Sequence, residues 1–195
     1  GENPEGTIFA IGKDAGVPHS TGNPSDCLRL GQTIVFDFFP CEPGGGYYYD
    51  FTRTWCLGYA PDEAQSLYNQ VLEVYKQVTK DLRVNEVFFK YQEETCHLFD
   101  QMGHPTVLTD PQTEMGYVHS LGHGVGLHIH EFPFSGASSS DILMPGSVFT
   151  IEPGLYYPER GMGVRLEDTW WISPEGVPEV LIEYPKELVI PVKTK

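Results

Sequence analysis

The sequence has little positive charge, no long apolar run and no closely spaced cysteine pair, and each lack removes a class of function. Only 12 lysines and arginines stand against 27 aspartates and glutamates, a formal net charge of −15 over 195 residues. Such a surface repels a phosphate backbone, so nucleic acid is not an expected partner. No run of about 18 apolar residues is present, so no membrane partner is expected either. The opening residues carry no basic stretch followed by an apolar one, and a secretory signal is therefore not expected. Cys27, Cys41, Cys56 and Cys96 lie far apart without C-x-x-C spacing. They read as reduced thiols rather than a zinc knuckle, a redox pair or a disulfide framework. The one Asn-x-Ser triplet, Asn23-Pro24-Ser25, holds the proline that blocks glycosylation. A cytoplasmic protein is the expectation. What the chain does have is 40% hydrophobic and 13% aromatic residues, enough for the core of one domain.

Along the chain, Thr7 to Ile11 reads as a strand followed by a loop, and residues 33–40 (TIVFDFFP) as a buried strand ending at Pro40. After Glu42-Pro43-Gly44-Gly45-Gly46, a turn signal, residues 47–58 read as the strand that completes a hairpin. Pro61 opens a helix with Asp62 and Glu63 in its first turn, and Leu67, Val71, Val74, Tyr75 and Val78 form its apolar stripe. Asn85 is the predicted cap of a second helix, carrying Phe88, Tyr91, Thr95, Phe99 and Met102 and stopped by Gly103. From about residue 117 strands return: a Gly- and His-rich segment, then VFTIEPGLYY and GVRLEDTWWIS, each read as one strand. The mixture predicts an α+β fold with helices packed on an antiparallel sheet. Its order, strand pair, helices, strand pair, hints at two related halves.

Four acids sit in these apolar strands: Asp37, Asp50, Glu152 and Glu167. The plain reading is that strands alternate and each acid faces water. Hairpin pairing argues otherwise. Setting Asp37 opposite Asp50 centres a turn inside Pro43-Gly44-Gly45-Gly46, and setting Glu152 opposite Glu167 centres one inside Pro158-Glu159-Arg160-Gly161. Each hairpin would then hold two carboxylates face to face, with Cβ atoms roughly 4.5–5.5 Å apart. Like charges so placed are destabilising unless a cation lies between them. His123, between two glycines, is the natural fifth ligand. Five such residues fit a centre of two divalent ions. Oxygen ligands with one nitrogen suit Mn²⁺, Fe²⁺, Co²⁺ or Zn²⁺ better than Mg²⁺ or Ca²⁺; manganese is the first expectation.

Arg165 lies two residues before Glu167 and so on the same face of a strand, placed to hold a substrate carboxylate or to stiffen the ligands. The plainer alternative is a surface cation. His119 and His130, four before and seven after His123, are placed to reach the same cavity. His97, His104 and His128 are read as surface residues.

The same residues carry a family resemblance. FDFFPCEPGGGYYYDFTRTWCLG, HSLGHGVGLHIHEFP, FTIEPGLYY and GVRLEDTWWIS together resemble the ordered blocks of the pita-bread metallopeptidases, from about Phe9 to Pro185. His119, Arg165 and His19 make the pattern similar to aminopeptidase P and Xaa-Pro dipeptidase rather than to methionine aminopeptidase. The resemblance implies a pita-bread fold, two metal ions and ligands at Asp37, Asp50, His123, Glu152 and Glu167. Asp50 and Glu167 would bridge both ions, Asp37 would chelate one, and His123 with Glu152 would hold the other. It further implies a homodimer acting on proline-containing peptides. Two departures are visible: Phe38 where the family often has glycine, and a longer hairpin tip. The resemblance also makes residues 1–195 the C-terminal portion of a catalytic domain. The family's first helical pair and any N-terminal domain would be missing, leaving half of the sheet's outer face uncovered.

The expected reaction is hydrolysis of an Xaa-Pro bond by a metal-bridging hydroxide. Glu152 would shuttle the proton, His119 and His130 would donate to the carbonyl oxygen, and His19 and Arg165 would position substrate or the histidines. Methionine removal and creatinase-like C–N cleavage are rival reactions on the scaffold, disfavoured by His119 with Arg165 and by the full ligand set respectively. A metal-free binding module is the rival from another class; it would be expected to have lost ligands.

Overall fold

The strand signals of the first 60 residues resolve into three strands in a computed structural model that describes residues 1–193. β1 (Thr7–Ile11), β2 (Thr33–Phe38) and β3 (Phe51–Leu57) form an antiparallel meander. The late strand β11 (Val189–Ile190) closes the sheet in parallel with β3. β-branched and aromatic residues dominate β2 and β3, as a pleated, half-buried surface requires. The β2–β3 register differs from the sequence expectation. Asp37 lies opposite Thr52, and the bridge between Cys41 and Tyr48 keeps that register into the loop. The turn is centred between Gly44 and Gly45, both at positive φ, where only glycine is free of strain. The four-residue turn signal accommodates either centre, and the glycines decide it. Asp50 is therefore a diagonal neighbour of Asp37 on one face, not its direct partner.

Two helices follow: α1 (Asp62–Asp81) and α2 (Phe89–Gln101). The predicted stripe of α1 is buried throughout, as are Phe88, Tyr91, Thr95 and Phe99 of α2, with Met102 packed alongside. Asn85 is not the cap of α2. It stands in a turn at positive φ, and its N–H donates to the carbonyl of Leu143. The residue tolerates left-handed backbone, and the loop leading into Val148 uses its N–H instead.

The second sheet orders β10 (Pro178–Val180), β9 (Asp168–Ile172), β6 (Val148–Ile151), β4 (His123–Gly124) and β5 (Glu131–Phe134). A separate ribbon pairs β7 (Gly154–Tyr157) with β8 (Met162–Arg165). Each long strand expected from the sequence is thus two strands, broken at Glu152-Pro153 and at Leu166-Glu167. The registers Ile151 with Asp168 and Gly154 with Arg165 run continuously through the breaks, so Glu152 and Glu167 face each other as the pairing argument expected. The breaks free both acids from the ladders where the chain passes from one layer to the next.

α1 and α2 cover the outer face of this second sheet and ribbon, with Phe149, Ile151, Leu155, Val164 and Ile172 in one buried cluster. The outer face of the first sheet is different. Phe9, Phe36, Phe38, Phe51 and Trp55 stack there at centroid distances of 5.7–6.4 Å, and none joins the core beneath the helices. No helix among the described residues is long and apolar enough to cross a membrane.

Candidate metal centre

The inner faces of the sheets meet at a cavity of about 360 Å³ lined by Asp37, Asp50, His123, Glu152 and Glu167, together with His19, His119, His130 and Arg165. Period-2 alternation sets the near side: Thr52 and Thr54 point inward on β3 while Arg53 points out. Thr54 Oγ1 accepts from the Arg165 N–H at 2.9 Å, and the Glu167 N–H donates to the Thr52 carbonyl at 3.1 Å. These contacts lock β3 to the break that carries Glu167. Across the gap, Thr169 Oγ1 accepts the Asp50 N–H at 3.2 Å and donates to its carbonyl at 2.6 Å.

His123 is held between glycines for a steric reason. A Cβ on Gly122 would stand 2.0 Å from the Thr150 carbonyl oxygen, and one on Gly124 would stand 2.2 Å from that of Phe132. Only glycine lets the neighbouring backbones close this tightly on β4. The His123 Nδ1–H donates to the Gly124 carbonyl at 3.0 Å, which leaves the Nε2 lone pair facing the acids. Nε2 lies 3.4 Å from Glu152 Oε1 and 3.7 Å from Asp50 Oδ2. Ligand atoms of Asp50, His123 and Glu167 all fall within 4.8 Å of one another.

The hydrogen-bond inventory of these carboxylates is incomplete. Asp37 Oδ1, Asp50 Oδ1 and Glu167 Oε1 are buried without any partner. Asp37 and Glu167 are each bonded through the other oxygen, to Arg165 and Thr52, whereas the Asp50 carboxylate meets only the unprotonated His123 Nε2 at 3.7 Å. Buried polar atoms are normally satisfied, and three orphans converging on one cavity ask for a missing cation. The donor set therefore fits divalent metal. Without an ion, burial pushes Asp50 and Glu167 well above the ordinary carboxylate range, helped by repulsion from neighbouring acids. Burial also raises Glu152 to about 8, opposed by Arg165 and reinforced by Asp37. It lowers His123 to about 4 and, with Arg165 adding repulsion, His119 to about 3.

Arg165 is a buried clamp on Asp37 rather than a surface cation. Its Nη2 pairs with Asp37 Oδ2 at 2.7 Å, Nε donates to Thr52 Oγ1 at 3.0 Å, and Nη1 donates to the Pro18 carbonyl at 3.0 Å and to Tyr156 OH at 2.9 Å. Thr52 in turn donates to Glu167 Oε2 at 2.7 Å. All three guanidinium nitrogens are engaged, which favours stiffening of Asp37 and, through Thr52, of Glu167 over capture of a substrate carboxylate.

His119 corrects an expectation. Nδ1 donates to the Ser120 carbonyl at 2.8 Å, and Nε2 accepts from Tyr156 OH at 2.9 Å. Both nitrogens are occupied, so His119 is not the free donor anticipated; it completes the chain Arg165 to Tyr156 to His119. His130 and His19 have no hydrogen-bond partner among the described residues, and the His130 ring lies 4.2 Å from that of His123. His104, expected at the surface, is half-buried between Tyr157 OH and Gln70; His97 and His128 are exposed. Tyr156 and Thr52 were not singled out by sequence reasoning, though both stand inside the family-like blocks.

The chain belongs to metallopeptidase family M24, whose model matches residues 1–174. It is 32% identical over 170 residues to an Xaa-Pro dipeptidase of Pyrococcus furiosus, covering 87% of this chain and 45% of that protein. A putative dipeptidase of Bacillus subtilis, YkvY, is 30% identical over 94% of this chain and 47% of its own length. Among solved structures, the prolidase from Pyrococcus horikoshii OT3 superposes with a TM-score of 0.82 at 29% identity, over 93% of this chain and 48% of that one. The X-Pro aminopeptidase from Thermotoga maritima gives 0.82 at 27% identity, over 94% and 49%. The fold is the pita-bread fold, and the chain spans about half the length of the curated relatives it matches.

Proposed function

We propose that this chain carries the centre of a two-metal peptidase that cleaves the bond preceding proline. The observation that carries the reading is the set of three unpartnered buried carboxylate oxygens facing the bare His123 Nε2. Asp37, Asp50, His123, Glu152 and Glu167 would hold the ions between them. Ions bound there, manganese first among the candidates, supply a water of lowered pKa and a Lewis acid for the scissile carbonyl. The protein's own groups do the rest. Glu152, oriented by Thr150 Oγ1 at 3.1 Å, takes and returns the proton. His130, at the exposed rim of the cavity, offers a ring N–H to the carbonyl oxygen, and His19, also at the rim, orients the substrate. Arg165, Tyr156 and His119 hold Asp37 and Glu167 in place.

The names of the relatives supply the Xaa-Pro substrate class. Four free cysteines suit a reducing compartment such as the cytoplasm. A homodimer is the proposed assembly, to be measured by sedimentation. The reading is tested by metal analysis of protein purified without chelator, and by turnover of an Xaa-Pro dipeptide against an Xaa-Pro-Yaa tripeptide. About two transition ions per chain and cleavage before proline are expected. Glu152→Gln should lower kcat by about a thousandfold; unchanged turnover would remove Glu152 from the reaction.

A further inference from the structure

The segment that delivers His119 and His123 has almost no sheet of its own. Residues 118–122 belong to no strand, although they carry His119 and lead directly into His123 on β4. Leu121 and Gly122 are buried, and buried backbone polar groups must find partners somewhere. Side chains supply them. Ser135 Oγ accepts the Gly122 N–H at 2.9 Å and donates to the Gly122 carbonyl at 2.8 Å, and Thr150 Oγ1 accepts the His123 N–H at 3.1 Å.

The remaining support comes from α2. Gln92 is 3% exposed, and its amide spans the segment. Oε1 accepts the Leu121 N–H at 2.5 Å and the Tyr117 hydroxyl at 2.9 Å. Nε2 donates to the His119 carbonyl at 3.2 Å and to Cys96 Sγ at 3.6 Å. The Leu121 N–H can only donate and the His119 carbonyl can only accept, so one side chain serving both must carry an acceptor and a donor. A primary amide does so; a carboxylate or an alkyl chain of the same length does not. The same stretch of backbone is tied to the cavity on its other side. The Leu121 carbonyl accepts the Glu152 N–H at 2.8 Å, and His119 Nε2 accepts from Tyr156 OH. Gln92 itself does not line the cavity.

We propose that Gln92 is a positioning residue for the metal centre: from α2 it sets the position of the His119–His123 segment and, through Leu121, that of Glu152. The inference rests on the peptidase reading above and extends it to a helix that touches none of the five groups. α2 thus does more than cover the sheet, since one of its side chains replaces the ladder that the histidine segment lacks.

The experiment compares the wild type with Gln92→Met, Gln92→Glu and Val74→Ala. Methionine keeps the length and loses both polar functions; a glutamate carboxylate keeps the acceptor and cannot donate to His119. Val74, buried in α1, is the control for lost stability alone. Melting temperature, Co²⁺ affinity by calorimetry, and Xaa-Pro turnover at saturating Co²⁺ are measured for all four. Gln92→Met and Val74→Ala should both melt several degrees below the wild type. Only the Gln92 variant should bind Co²⁺ about three- to tenfold more weakly. Its kcat should fall roughly ten- to a hundredfold with KM within about threefold, as for a group misplaced rather than removed. Gln92→Glu should change in the same direction, and it decides the matter if the methionine variant does not fold. Gln92 variants that melt lower yet keep their Co²⁺ affinity and kcat, as the control does, overturn the proposal and leave Gln92 a framework residue. A wild type that binds Co²⁺ without cleaving before proline sinks the peptidase reading alone, and the Co²⁺ affinities still decide Gln92. No uptake of Co²⁺ by the wild type overturns both.

Discussion

Glu167 and Asp168 are adjacent in sequence and both almost wholly buried, at 1% and 0% exposure, yet the protein treats them oppositely. Asp168 faces the helices. Its Oδ1 pairs with Arg53 Nη2 at 2.5 Å, its Oδ2 pairs with Lys186 Nζ at 2.6 Å, and Tyr75 OH donates to it as well. Arg53 is further anchored by the carbonyls of Thr52, Glu167, Tyr184 and Pro185. Glu167 faces the cavity, where Thr52 satisfies one oxygen and nothing satisfies the other. Burial alone therefore does not mark a functional acid. An acid matched by internal cations is part of the framework, and an acid left short of partners is waiting for something from outside.

The contrast breaks most visibly at Asp168. Asp168→Ala leaves Arg53 buried without its carboxylate and should cost about 3–5 kcal/mol of stability, read in denaturant melts, whether or not metal is present. A loss confined to the metal-loaded protein would mean that Asp168 belongs to the cavity after all.

Glu167→Gln should act with the opposite sign. Removing one negative charge from the cluster should stabilise the chelator-treated protein at pH 8 by about 1–2 kcal/mol. The same change should erase the stabilisation that divalent ions give the wild type. Destabilisation of the metal-free variant would refute the idea that the centre is strained by repulsion.

A smaller effect follows from pH. In the metal-free fold Glu152, Asp50 and Glu167 hold their protons above the range of the unfolded chain, Glu152 to about 8. The folded state therefore binds more protons than the unfolded one between the ordinary carboxylate range and that value. Stability is full in acid and declines as pH rises through about 8. The fall should be on the order of 1 kcal/mol or more in thermal melts. Saturating divalent ion should flatten or invert it, because binding requires the deprotonated ligands. A metal-free protein whose stability rises over that interval would contradict the assignment.

Much of this centre was legible beforehand because acids in apolar strands are costly, and because glycine on both sides of a histidine marks a crowded backbone. The pairing of Glu152 with Glu167 was readable since the register persists through both strand breaks. The pairing of Asp37 with Asp50 was not: a run of glycines does not say which pair centres the turn, and a shift of two residues keeps every side chain on its face. Asn85 carried a genuine capping signal, but its backbone turns at positive φ and α2 begins only at Phe89, with Phe88 at the cap position. The occupation of both His119 nitrogens depended on Tyr156, a partner 37 positions away.

By itself, the order of residues determined which side chains share a face, where the helices run and which acids are buried at cost in apolar strands, because these follow from local periodicity and from the energy of burying charge. Only the folded chain decided which buried acids obtain counter-ions from within. That depends on Arg53, Lys186, Tyr75, Arg165 and Thr52 arriving from separate strands and helices, and long-range packing geometry is not encoded in the spacing of any one segment.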